Sequence, residues 1–348
     1  MNPLYSLLLA PVLLPVPEIE GDRLLWRPAE GTQLQRTVLT SENSTKEKSL
    51  LSISGNEQDA GTGVERSTQG TIVVHDRFGP PMDGAGPSSV QRTFEQVSEA
   101  TNIDGIPDGI HVRGGESGEG LLEGKTVAFT FDAESEDYEP DWEEGSNGKI
   151  EWLEGLNADM DYSTFLPEEP VNEGDLWKID LSGVRQLLQP GGKIQIDEND
   201  ESDPETPEGG LAIVVPKASA MERLEELRGA LSATYAGTRK IGGRSLGVIA
   251  LEMEFDGTLD VTDDLQADAP AGQRYDFAEI HVEFSGEGEL LWDLDGRHMA
   301  GLRFEVQTDS DFDATWSLDY NSTSLEVGFS GTEILTKKVE IQVERAGS

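Results

Sequence analysis

The chain has 348 residues, with 26 Lys+Arg against 68 Asp+Glu and a formal net charge of −42. It contains no cysteine, which removes disulfide scaffolds, thiolate metal sites and cysteine nucleophiles. The negative field argues against nucleic-acid binding, which runs on Lys and Arg phosphate contacts.

Hydrophobic residues make up 36% of the chain, including 11 Phe, 6 Trp and 6 Tyr, enough for a packed core despite the charge. Leu4 to Val16 is apolar and interrupted by Pro11 and Pro15. No run reaches the ~18 apolar residues of a membrane helix, so the chain is not expected to be an integral membrane protein. Residues 1–22 read as a hydrophobic leader of the signal-peptide kind, although no Lys or Arg precedes Arg23. A mature chain would begin between Pro17 and Arg23, in the periplasm or outside the cell. The competing readings are an extended packing segment or a misassigned start. The charge has a second reading as adaptation to high salt.

Residues 23–180 form an N-terminal β region. Its strand candidates are Arg23 to Arg27, Gln33 to Leu39, Ser49 to Ser54, Gly70 to Val74 and Val90 to Val97, divided by Gly, Pro and Asp clusters. Thr126 to Asp132 alternates, with Val127, Phe129 and Phe131 on one face. Asp132 to Asn147 reads as a long acidic loop.

Residues 181–230 are an acidic linker plus a helix. Gly183 to Gln189 suits a short helix stopped by Pro190 and two glycines. Asp197 to Gly210 is nearly all acid, Pro and Gly, a solvated loop. Lys217 to Arg228 reads as a helix, with Met221, Leu224 and Leu227 on one face.

Residues 231–345 form a C-terminal antiparallel β region. Ile249, Leu251, Met253 and Phe255 alternate with polar residues, as do Ile280, Val282 and Phe284; Leu302, Phe304 and Val306; Phe312, Ala314, Trp316, Leu318 and Tyr320; and Val339, Ile341 and Val343. Period two over so many runs means one dry face and one acidic, wet face. The expected fold is mainly β: one or more curved antiparallel sheets, or an incomplete barrel, with one or two short helices. The apolar face must be covered, by the 217–228 helix or by the N-terminal strands. Trp177 and Trp316 are expected to be buried.

Two segments carry a resemblance. Leu166 to Trp177 contains P-x-x-P-V-x-x-G-D-x-W, and Gly286 to Gly296, after the Tyr235 to Arg244 run, resembles a G-x-G-x-x-x-x-D-x-x-x-G hairpin. In order and spacing, over roughly 160–310, the chain resembles an uncharacterised family of bacterial exported or envelope β-rich proteins. That resemblance implies an envelope or secreted protein with a curved antiparallel sheet, and no activity. Physically, Pro167 and Pro170 hold the chain extended, Gly174 and Asp175 make a tight turn, and Trp177 is a core anchor.

Catalytic patterns are sparse. Gly124-Lys125-Thr126 ends like a phosphate loop, but position 119 is Glu and a strand follows where a helix is needed. Asp197, Asn199, Glu201, Asp203, Glu205 and Glu208 fall at calcium-loop spacing, but Ser202 replaces the turn glycine, and Pro204 and Pro207 stiffen the run. His75, His111, His281 and His298 are scattered and read as surface residues. No catalytic, cofactor-binding or metal-ligating residue is nominated, and no cofactor. The expectation is a non-enzymatic exported β protein that binds an envelope partner or an amphiphile. The alternatives are a hydrolase using carboxylate chemistry and a purely structural envelope domain.

Overall fold

A computed structural model describes residues 21–346 except 61, 83–85, 106–111, 198–222, 268, 270–271 and 321–322. The alternating pattern appears as strands β1 (Gln33–Ile53), β2 (Asn56–Asp59), β3 (Glu65–Phe78), β4 (Ser89–Gly105), β5 (Val112–Gly120), β6 (Thr126–Asp132) and β7 (Asp137–Trp142). Then come β8 (Leu176–Ile179), β9 (Ile196–Asp197), β10 (Arg228–Ile241), β11 (Arg244–Asp260), β12 (Gln273–Asp293), β13 (His298–Tyr320) and β14 (Thr323–Arg345). All belong to one 14-stranded antiparallel sheet, ordered β7-β6-β4-β3-β1-β14-β13-β12-β11-β10-β8 along its main path. Among the described residues the two ends of that path do not pair, so the protein is mainly β with an unclosed sheet. Helices α1 (Leu181–Leu188) and α2 (Thr262–Ala267) are short.

The register follows the side chains. Ile249, Leu251, Met253 and Phe255 are buried on β11, and Phe255 lies opposite Phe284 of β12. Trp316 is 1% exposed and its ring centroid lies 5.5 Å from that of Tyr275, its partner across the β12–β13 ladder. Such cross-strand pairs each contribute roughly 0.2–1 kcal/mol beyond the burial itself. The edges are short, and β7 carries Pro140 among three acids, features that discourage pairing with other chains.

Residues 143–175 run from one edge strand, β7, to the opposite edge strand, β8. This crossing segment contributes Leu153, Met160, Tyr162 and Phe165 to the same apolar cluster as the sheet. With Val184, Leu187 and Leu188 of α1, it supplies the cover the dry face needs.

The structure redraws several sequence boundaries. The candidates at 33–39 and 49–54 belong to one 21-residue strand. Arg23 to Arg27 is not a strand; its neighbour Asp22 makes an isolated bridge to Val171. The acidic run 132–147 contains β7, because Tyr138 packs edge-on against Phe131 at 5.4 Å. The helix expected over 217–228 falls outside the described residues up to 222. Beyond that, Leu224–Glu226 is a single 3-10 turn and Arg228 already begins β10. Gly229, at φ 148°, is unfavourable in a helix and pairs with Phe255 instead. Trp177 is half-buried, because it sits on an edge strand; its indole N–H donates to the Phe165 carbonyl at 2.9 Å.

Candidate functional site

Three strands carry a charge where the alternation demands an apolar residue. Leu34-x-Arg36-x-Val38, Val74-x-Asp76-x-Phe78 and Val90-x-Arg92-x-Phe94 each point all three side chains to the dry face, and all are buried. Arg92 donates through Nε and Nη2 to the two Asp76 oxygens at 2.8 and 3.0 Å. It also donates to the carbonyls of Asn157 and Ala158 at 2.7 and 2.8 Å. Arg36 ion-pairs with Asp76 and reaches Asp161 at 2.8 Å. Asp161 further accepts from the Trp26 indole at 2.8 Å and the Met299 amide at 3.0 Å. This network ties the crossing segment to β1, β3, β4 and β13.

Burial works against the Arg36 charge, but the carboxylates of Asp161 and Asp76 outweigh it and its pKa is raised. Asp159 is pushed toward its neutral form: burial, then the Asp161 charge, raise its carboxyl above the ordinary range despite hydrogen bonds from Ser163 and the Asp161 amide. Paired, desolvated charges hold position well and exchange protons poorly. The network therefore reads as a clamp.

The second polar cluster lies at the sheet end where β1 begins and β14 finishes. There the entry segment, the β12–β13 hairpin and the end of β14 enclose an open cleft of about 580 Å³ lined by Arg27, Thr32, Gln33, Asp295, Arg297 and Arg345, among others. A smaller cleft of about 440 Å³ includes Asp22, Glu173, Tyr235 and Thr238. Tyr235 donates to Asp22 at 2.5 Å, and its pKa is pushed up to about 12, first by burial and then by that carboxylate. Charged and polar groups line both clefts.

His298, which the sequence places on the surface of a hairpin, is instead 0% exposed, because the entry segment crosses that hairpin with the Arg27 amide bonded to the Arg297 carbonyl at 3.0 Å. On the wet face His75 is half-buried and His281 exposed, near Glu95 and Glu283 respectively. His111 lies outside the described residues, as do the calcium-loop candidates Asn199, Glu201, Asp203, Glu205 and Glu208; Asp197 alone is placed, opposite Glu119. Gly124, at φ 73°, turns into β6 as the turn-before-strand reading requires. No group of three metal-ligating side chains occurs among the described residues.

No family model matches the chain and no curated protein matches it. Among solved structures it is similar to an outer membrane channel from Pseudomonas putida F1, at 9% identity and a TM-score of 0.21, over 94% of this chain and 100% of that one. It is also similar to the outer membrane protein OprG from Pseudomonas aeruginosa, at 7% identity and a TM-score of 0.18, over 91% of this chain and 98% of that one. Scores this low do not establish a shared topology.

Proposed function

We infer that this chain is an exported, non-enzymatic β protein of the cell envelope that works by holding a protein partner. The observation that carries the reading is the use of the dry face. The chain's own segment 143–175 covers it and is clamped there by Arg36, Asp76, Arg92 and Asp161. The surfaces left for recognition are then the wet face and the ends of the sheet. The motif at Leu166 to Trp177, with its resemblance to exported β proteins, supports the same location.

The test is protein purified from its own host. N-terminal sequencing that starts between Pro17 and Arg23 supports export, and a start at Met1 or Asn2 overturns it. Native mass spectrometry of the same material reads the ligand class. A stoichiometric protein partner supports the reading, whereas a co-purified lipid would favour an amphiphile carrier.

A further inference from the structure

The hairpin-end cleft is out of keeping with its surroundings. In a chain of 26 basic and 68 acidic residues, three arginines from three separate stretches line one cleft, with Asp295 beside them. Arg27 comes from the entry segment, Arg297 from the β12–β13 hairpin and Arg345 from the end of β14. The nearby Asp293 is buried. One of its oxygens accepts from the amides of Asp295 and Gly296 at 3.1 and 2.7 Å, and the other lies between Arg244 at 3.5 Å and Arg345 at 3.8 Å, so Arg345 enters the cleft already beside one carboxylate.

Two further observations point to a ligand. Arg297 sits at φ 55°, a left-handed position that glycine or asparagine ordinarily takes, while the hairpin's glycine is one residue earlier. A long cation is thus kept where the backbone disfavours it, and strain of that kind gathers at functional sites. Beneath the hairpin, His298 Nδ1 donates to the Met299 carbonyl at 2.7 Å, and its buried Nε2 has no hydrogen-bond partner, with Asp293 Oδ2 4.0 Å away. That nitrogen abuts Gly296, a lining residue: a Cβ there would stand 2.6 Å from Nε2 and 2.9 Å from Arg345 Nη2.

We propose that this cleft binds a small phosphorylated or sulfated molecule, its tetrahedral oxyanion held by Arg27, Arg297 and Arg345. Guanidinium groups match such oxyanions through charge-assisted, often bidentate hydrogen bonds. Arginines converging from three stretches suit a group with several oxygens better than a planar carboxylate. The cleft, at about 580 Å³, has room for an organic ester rather than a bare ion. A free molecule is favoured over a lipid headgroup, since a net charge of −42 opposes approach to an anionic bilayer. The inference does not depend on where the protein resides or which protein it holds.

The experiment is calorimetric titration of the full chain with inorganic phosphate, sulfate and acetate, at an ionic strength held constant with NaCl. Saturable binding of phosphate or sulfate, with acetate weaker by roughly tenfold or more, is the expected result. Arg297→Gly removes one guanidinium and relaxes the turn, so affinity falls about tenfold or more while the melting temperature holds or rises. Arg345→Gln repeats the loss from a different strand. Heats for phosphate and sulfate no different from NaCl, or both variants binding as the parent does, would overturn the site. Acetate binding as tightly as phosphate would overturn the ligand class. Vesicles containing phosphatidic acid that sediment the parent but not Arg297→Gly would overturn the free-ligand assignment.

Discussion

Arg92→Met is the sharpest test of the clamp. Arg92 is 0% exposed, and the substitution deletes two contacts to Asp76 and two to the carbonyls of Asn157 and Ala158. Asp76 is left buried with Arg36 alone. Breaking one side of a buried ion pair costs about 3–5 kcal/mol, and an orphaned buried carbonyl costs ~1 kcal/mol or more. These terms overlap, so the expected loss is about 4–6 kcal/mol, a third or more of a typical folding free energy. Urea titration followed by tryptophan fluorescence measures it. Limited proteolysis adds a local readout, since residues 143–175 should be cut first once their carbonyl anchors are gone. A loss below ~1 kcal/mol with the segment still protected would refute the clamp, because such a pair would then be solvated rather than buried.

Trp316→Ala removes a fully buried ring from β13 and should cost roughly 3–5 kcal/mol in the same titration; a loss under ~1 kcal/mol would undo the register of that strand. Asp159 holds its proton more tightly in the folded than in the unfolded protein. The stability it contributes is therefore full below the unfolded pKa and lost as pH rises through the folded value. Relative to Asp159→Asn, the parent should lose stability as pH rises above the ordinary carboxylate range, and a pH-independent difference in urea midpoint would contradict the raised pKa. A net charge of −42 predicts a melting temperature that climbs with NaCl as repulsion is screened. A flat salt series would mean that the acids are already spaced widely enough.

Legibility followed the alternation. From Ile249 to Val343 the apolar residues and their dry face could be read directly, because an antiparallel strand with one wet side repeats every two residues. The N-terminal half was harder. In β1 the pattern breaks between Leu39 and Ser49, where polar residues form both faces, and one strand looked like two. The clamp was written in the sequence as a charge at a dry-face position in each of three strands. Arg36, Asp76 and Arg92 are each, taken alone, indistinguishable from a solvated residue; only together do they require each other. Asp159 and Asp161 had no such signal, since irregular segments have no period. His298 could not be placed from its hairpin alone, because the entry segment that buries it lies some 270 residues away in the chain, about the whole length of the sheet-forming region.

The pairing of β1 with β14 bears on how the molecule is made. Residue 34 lies opposite residue 345, and the ladder between these strands sits near the middle of the strand order. During synthesis β1 can zip to β3 early, yet its other side waits until the last strand has emerged. Until then a strand of 21 residues offers a bare row of amides and carbonyls to any neighbour. The sheet cannot grow outward from one end to the other; it is joined across its centre in a final step. A chain stopped before β14 would not be a smaller version of this protein. It would carry two long open margins, β1 and β13, and should aggregate rather than settle.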